Sequence, residues 1–254
     1  MDYRPQLLAA EQAARLAGKL LKERFHEVHH VDAELAHDIK LQLDREAQEL
    51  IVASLRQSYP DYAVLGEEGC AAGSTGAPEW IIDPIDGTVN YFYGIPIFCV
   101  SIALRVGEQT VLGCVYDPMQ DECYTATLGE PPRLNGQVIR VSARSRMAEA
   151  VVFVGHGTHD GSGEAGVRRF AHISSQVRKM RILGSAALTL CYIAAGRFDA
   201  YIESRINLWD FAAARLILES AGGILEFTPS AEKAVTGSVI AWNGLLPIHA
   251  ALAS

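Results

Sequence analysis

The sequence predicts a layered α/β fold. Three observations carry this: apolar residues at helical spacing near the start, a run of strand-like segments in the middle, and short strands alternating with helices after Pro131-Pro132. Leu7, Leu8, Ala14, Leu16, Leu20, Leu21 and Phe25 predict a long amphipathic helix over Gln6–Val28. Ala47, Leu50, Ile51 and Leu55 share one face of a second predicted helix, Asp44–Gln57, with Asp44 near its start, where an acid suits the helix dipole. Strands are predicted over Tyr62–Gly66, Glu79–Asp83, Ile97–Val106, Thr110–Tyr116 and Glu122–Leu128. Gly107-Glu108-Gln109 and the longer Asp117–Asp121 segment read as hairpin turns between them. After Pro131-Pro132, strands at Val138–Val141, Val151–Gly155, Lys179–Leu183, Asp199–Ile202, Ile224–Glu226 and Ser238–Trp242 alternate with helices. Those helices are Gly163–Val177, Ser185–Ala195, Leu208–Ser220 and Leu245–Leu252. With no repeat, low-complexity segment or linker, one domain over 1–254 is expected, its two subdomains meeting near residues 130–145.

At 254 residues, 49% hydrophobic and 20% charged, the chain can bury a sizeable core and carries no disorder signature. A net charge of −8 argues against a sequence-independent nucleic-acid binder. An acidic protein can still act on anionic esters if its carboxylates hold divalent cations that supply the positive charge. Met1-Asp2-Tyr3-Arg4-Pro5 has no secretory pattern. The apolar stretches Gly94–Leu104 and Gly184–Gly196 fall well short of the ~20 residues a membrane span needs. Cys70, Cys99, Cys114, Cys123 and Cys191 form no CxxC pair, so reduced thiols and a cytoplasmic location are expected, with no membrane or nucleic-acid partner.

The informative segment is Trp80-Ile81-Ile82-Asp83-Pro84-Ile85-Asp86-Gly87-Thr88. An apolar strand is expected to end at Asp83, where Pro84 interrupts the ladder, and Asp86 follows three residues later. Two carboxylates spaced this way across a turn can converge on one cation, with the Ile85 carbonyl between them as a further hard oxygen. Gly87 lets backbone approach a ligand, and the Gly87 and Thr88 amides can open a helical turn towards an anion. Oxygen-only ligands favour Mg²⁺ or Mn²⁺ over zinc. Taken alone, Asp-Pro-Ile-Asp-Gly is more often a surface turn. Two further acids shift the balance: Glu67 in Gly66-Glu67-Glu68 follows a second apolar strand, and Asp210 in Trp209-Asp210 opens an apolar helix. A lone Asp there is usually only a cap. Three acid-bearing element ends favour a shared site.

Gly-Glu-Glu, Asp-Pro-Ile-Asp-Gly-Thr and the distant Trp-Asp, with Glu-Ser-Ala-Gly-Gly ending the helix, resemble the inositol monophosphatase family of magnesium-dependent, lithium-sensitive phosphatases. The resemblance covers nearly the whole chain, from Asp38–Ile51 to Leu218–Gly223. It implies an alternating α-β-α-β-α sandwich, two or three Mg²⁺ ions with Mn²⁺ as a substitute, and a homodimer. Glu67, Asp83 and the Ile85 carbonyl would hold one metal, while Asp83, Asp86 and Asp210 would hold a second, with Asp83 bridging. The catalytic set would be Glu67, Thr88 and Asp86, with Glu67 and Thr88 positioning and deprotonating the attacking water. Asp44 would lie just behind the ligands. Gly87 and Thr88 would bind phosphate; Gly184, Ser185, Ala186 and Glu203 would line the pocket for the alcohol.

The resemblance implies hydrolysis of a small phosphate monoester, inositol phosphate or a similar polyol or sugar phosphate first. Fructose 1,6-bisphosphate, a 3′,5′-bisphosphate nucleotide and histidinol phosphate are the alternatives, and a protein-binding regulatory role is the alternative outside catalysis. Lys40 and Leu41 depart from the family pattern near Asp44; Lys40 is read as a solvated lysine. The loop Gly155–Gly163 is read as a substrate-shaping wall. His26, His29 and His30 are read as exposed, and Tyr91-Phe92-Tyr93 as core. Arg205, two residues after Glu203, suits either an anionic substrate or a neighbouring acid.

Overall fold

The computed structural model describes residues 2–27, 31–35, 38–71, 73–74, 76–155, 170–231 and 234–253. Helix α1 (Arg4–Arg24) begins two residues earlier than its apolar pattern suggests, because Pro5 fits a first turn where its missing N–H costs nothing. It buries Ala10, Ala13, Ala14, Ala17 and Leu21, and α2 (Gln42–Arg56) buries Leu43, Ala47, Ile51 and Leu55. A strand pair that the residue pattern does not announce, β1 (Val31–Leu35) with β2 (Asp38–Leu41), joins the two helices.

The next strands are β3 (Ala63–Gly66), β4 (Gly69–Ala71) and β5 (Glu79–Asp86). After the short helix α3 (Thr88–Phe92) come β6 (Cys99–Val106), β7 (Gln109–Asp117), β8 (Glu122–Thr127), β9 (Arg133–Leu134) and β10 (Gln137–Val138). They form one eight-stranded sheet in the order β10-β9-β8-β7-β6-β5-β3-β4. The expected strand Val138–Val141 is thus mostly loop. The ladder instead closes through a two-residue turn in which Asn135 and Gly136 both have positive φ, the geometry such a hairpin needs.

The second half supplies β11 (Val151–Val154), a helical turn α4 (170–174), β12 (Lys179–Arg181), α5 (Ala186–Ala194), β13 (Ala200–Asn207) and α6 (Leu208–Ser220). It closes with β14 (Ile224–Pro229), β15 (Thr236–Trp242) and α7 (Ile248–Ala253). Residues 163–169 of the expected Gly163–Val177 helix lie outside the described residues. The last helix starts after Pro247 rather than at Leu245. These strands form a five-stranded sheet ordered β12-β11-β13-β15-β14.

The two-residue period of each strand sorts side chains between layers. On β5, Trp80 and Ile82 pack with α1 and α2, whereas Ile81 joins α5 and α6. On the second sheet, Phe153, Tyr201, Val239 and Ala241 meet α5 and α6 from the other side. Val152, Val154, Ala200 and Ile202 turn outward to Ile173 and Ile248. The result is the alternating α-β-α-β-α sandwich, with α5 and α6 between two sheets. Among the described residues no helix is long and apolar enough to cross a membrane.

Candidate active site

The chain departs from a plain strand end at Asp83. β5 continues through Asp86, and the pairing with β6 slips between Asp83↔Ser101 and Asp86↔Cys99. Pro84 has no amide to donate, and the Ile85 amide donates to Asp83 Oδ1 at 3.0 Å. The slip corrects the expectation that the strand stops at Asp83. It keeps both acids on one rigid element, each at most 7% exposed. Gly87 then caps α3 at φ +107°, where a Cβ would stand 2.9 Å from the Ile97 carbonyl oxygen, so only glycine fits.

Asp44 and Asp210 are held by the same local device. Each is the third residue of its helix and accepts a hydrogen bond from the residue before the helix: Leu41 N to Asp44 Oδ2 at 2.7 Å, Asn207 N to Asp210 Oδ2 at 2.8 Å. The cap reading of Asp210 therefore holds, and Asp44 plays the same part on its own helix. Capping uses one oxygen of each. The other oxygen of Asp44 lies 3.3 Å from Thr88 Oγ1, whose hydroxyl is also 2.9 Å from the Ile85 carbonyl oxygen.

Asp86 reaches across to the helix between the sheets. Its Oδ2 accepts from Ser185 Oγ at 2.5 Å and Ala187 N at 2.7 Å, and its Oδ1 from Ala186 N at 3.1 Å. The first turn of α5 thus points its free amides at a carboxylate, the sign the helix dipole favours. The buried Cys99 thiol donates to the same Oδ2 at 3.5 Å, and burial keeps that thiol protonated.

These acids feel one another. Burial raises Asp83 far above the usual carboxylate range, and the negative charges of Glu67, Asp86, Asp210 and Asp44 push it further. Burial likewise raises Asp210, with Asp86 adding to it, and raises Asp86 against the donors that pull it down. Asp44 is pushed up to about 8, first by burial and then by Glu67 and Glu68. Among the described residues no three such side chains are already drawn together as a metal cage. The donor set fits a hard divalent cation: oxygen ligands only, Asp83 and Asp86 buried and Glu67 and Asp210 half-buried, with excess negative charge.

Beside this cluster lies a cavity of about 380 Å³. Asp86 and Asp210 line one part of it, and Gly184, Ser185, Ala186, Glu203 and Arg205 line the rest. Glu67, Asp83, Ile85, Gly87, Thr88 and Asp44 are not in its lining. Glu203 is pressed against Gly155, where any side chain would overlap its carboxylate. Residues 156–163 of the expected substrate-shaping loop lie outside the described residues, as do His29, His30 and the Lys40 side chain. His26 is exposed beside Phe25; Tyr91 is core, donating to the Leu21 carbonyl, but Phe92 is only partly buried and Tyr93 is 67% exposed, so the run is not core throughout.

Three supporting residues escape the motif reading. Asn90 donates to the carbonyls of Ile97 and Leu183 at 2.8 and 2.7 Å, tying α3 to the Gly184 loop. Gln48 accepts from the Glu68 amide at 3.1 Å and fills the space above Gly66, so it steadies the turn carrying Glu67. Its spacing of four from Asp44 on α2 is the signal that points to it. Cys99 leaves no such signal.

A family model described as the inositol monophosphatase family matches residues 2–246. A Rhizobium meliloti protein named inositol-1-monophosphatase is 41% identical over 218 residues, covering 84% of this chain and 81% of its own. A Pseudomonas aeruginosa protein named Nus factor SuhB is 37% identical over 248 residues, covering 94% and 92%. The crystal structure of the extragenic suppressor protein suhB from Bartonella henselae superposes with a TM-score of 0.91 at 33% identity, covering 98% of this chain and 96% of that one.

Proposed function

The chain belongs to the inositol monophosphatase family and is a phosphoric monoester hydrolase, and from that premise we propose that it hydrolyses a small polyol or sugar phosphate, inositol phosphate first, at the carboxylates around Asp83. The observation that carries this site is the burial of Asp83 among the charges of Glu67, Asp86, Asp210 and Asp44, an arrangement that calls for cations.

Members of the family depend on a divalent cation, generally Mg²⁺. In this reading Glu67, Asp83 and the Ile85 carbonyl would hold one ion and Asp83, Asp86 and Asp210 would hold another. When bound, such ions neutralise phosphate charge and lower the pKa of water in contact with them. The protein's own groups do the rest. Glu67 and the Thr88 hydroxyl, which donates to Asp44, orient the attacking water, and the Glu67 carboxylate takes its proton. The Gly87 and Thr88 amides orient the phosphate at the start of α3. The first turn of α5 fixes Asp86, and the wall of Gly184, Ser185, Ala186 and Glu203 holds the alcohol. Catalysis is then mainly positioning and charge neutralisation.

Because relatives include proteins named Nus factor SuhB, a protein-binding role is the second reading. A chain with only that role has no need of these groups, yet the acids Glu67, Asp83, Asp86 and Asp210 and the hydroxyl of Thr88 are all present. Phosphate release measured over a panel of monophosphates and bisphosphates, with Mg²⁺ and with EDTA, separates the two. Release that stops in EDTA is expected. No release from any ester favours the binding role.

A further inference from the structure

Tyr201, Glu203 and Arg205 alternate along β13, and all three line the cavity beside Asp86 and Asp210. Past Glu203 the ladder slips. Glu203 pairs with Val239 but Ile206 pairs with Gly237, so Ser204 and Arg205 together stand opposite one residue of β15. The amides of Ser204 and Arg205 donate to Glu203 Oε1 at 2.8 and 3.3 Å, and the Tyr201 hydroxyl donates to Oε2 at 3.4 Å. The Glu203 carboxylate is thereby turned back onto its own strand. The bulge leaves the Arg205 side chain at the exposed mouth of the cavity.

Arg205 is the one basic residue among the described residues that line this cavity, where Asp86, Asp210 and Glu203 are acids. Among the described residues it makes no ion pair. Asp86 and Asp210 belong to the proposed cation site, and Glu203 is bonded within its strand, so none of these acids claims the guanidinium. An acidic cavity with no such cation would repel a substrate carrying a second negative group. A planar guanidinium reverses that bias, because its fork matches a phosphate or a carboxylate.

We propose that Arg205 binds a second anionic group on the alcohol portion of the substrate. Within the small polyol and sugar phosphates that the site takes, those whose alcohol also carries a phosphate or a carboxylate would then gain affinity from Arg205. This rests on the phosphatase reading of the site and names the substrate class within it. Histidinol phosphate, whose alcohol is a cation, is disfavoured by the same charge.

The test compares kcat/KM with Mg²⁺ for inositol 1-phosphate, fructose 1,6-bisphosphate and 2-phosphoglycerate in the parent, Arg205→Met and Arg205→Lys proteins. Arg205→Met should lose about 10- to 100-fold on one or both doubly anionic esters, mostly through KM. Its loss on inositol 1-phosphate should stay under about threefold, and Arg205→Lys should recover part of the difference. Loss on the bisphosphate alone or the phosphoglycerate alone tells which anion is read. Equal losses on all three esters, or no loss on any, would overturn the assignment of Arg205. A parent that hydrolyses inositol 1-phosphate but neither doubly anionic ester also overturns it, while leaving the phosphatase reading standing. A parent that hydrolyses none of the three overturns both.

Discussion

Ser185 Oγ donates to Asp86 Oδ2 at 2.5 Å, joining the end of β5 to the helix that lies between the two sheets. Ser185 also caps that helix, since its Oγ accepts from Leu188 N at 3.4 Å. One hydroxyl therefore sets both the start of α5 and the direction of a proposed metal ligand.

Ser185→Ala removes both bonds. We expect a loss of about 1–2 kcal/mol in stability, typical of a lost helix cap. Turnover should fall by about 10–100-fold, as for other residues that orient a ligand. Ser185→Thr, which keeps the hydroxyl, should recover most of each. Thermal melts and kcat measured together check this, and an alanine variant with parent-like turnover contradicts it.

Asp83→Asn should abolish Mg²⁺-dependent turnover, a drop of about 10³-fold or more, with the fold intact. Asp83 is 2% exposed and its charge is disfavoured by burial and four neighbouring acids. In EDTA the variant should therefore melt no lower than the parent. Circular dichroism and melts in EDTA separate a lost ligand from a lost fold. Near-normal activity would remove Asp83 from the site.

The same excess of buried charge predicts stabilisation by the cation. Mg²⁺ at about 100 times its Kd should contribute about 2.7 kcal/mol, near 5–10 °C in Tm for a chain of this size. Sodium chloride at equal ionic strength should do far less, because screening does not fill a ligand set. Equal shifts from the two salts would argue against a specific site.

A pH prediction comes from the other end of α5. Arg197 grips Glu122 with both guanidinium nitrogens, at 2.5 and 2.6 Å, fastening the helix end to β8. Those bonds, helped by the Tyr124 hydroxyl, hold Glu122 below its ordinary 4.5. A lowered carboxyl stabilises the fold above its unfolded pKa, and that stability is lost as pH falls through the lowered value. The Arg197 side chain is 39% exposed, so the effect should be only about 0.5–1 kcal/mol. Glu122→Gln should melt slightly below the parent at pH 7, and the gap should close as pH falls below about 4.5. A gap that widens on acidification contradicts this account.

Much of the fold can be read from local pattern. The apolar spacing of α1, α2, α5 and α6 and the alternation along β5 to β8 follow from which residues must leave water, and Leu208–Ser220 matches its helix end for end. Boundaries fail where a distant partner decides them. β5 runs past Pro84 because Cys99 of β6 offers Asp86 a place to pair, and no residue near Asp86 announces that. The hairpin at Asn135-Gly136 does carry a local signal, and the β1–β2 pair carries none of comparable strength.

By itself the sequence determined the layered α/β class, the run Asp83-Pro84-Ile85-Asp86-Gly87-Thr88, and the acids Glu67 and Asp210 at element ends, because spacing and residue type act locally. Only the tertiary structure decided which charges share one low-dielectric space. Asp44 and Asp210 each spend one oxygen as a helix cap, which a short segment can specify. That they also raise Asp83 depends on the packing of α2 and α6 against opposite faces of one sheet. The partner of Asp86 is Ser185, 99 residues away, and the exposed place of Arg205 depends on a bulge set by its pairing with β15. Coulombic and hydrogen-bond energies depend on distance in space, and only folding sets those distances.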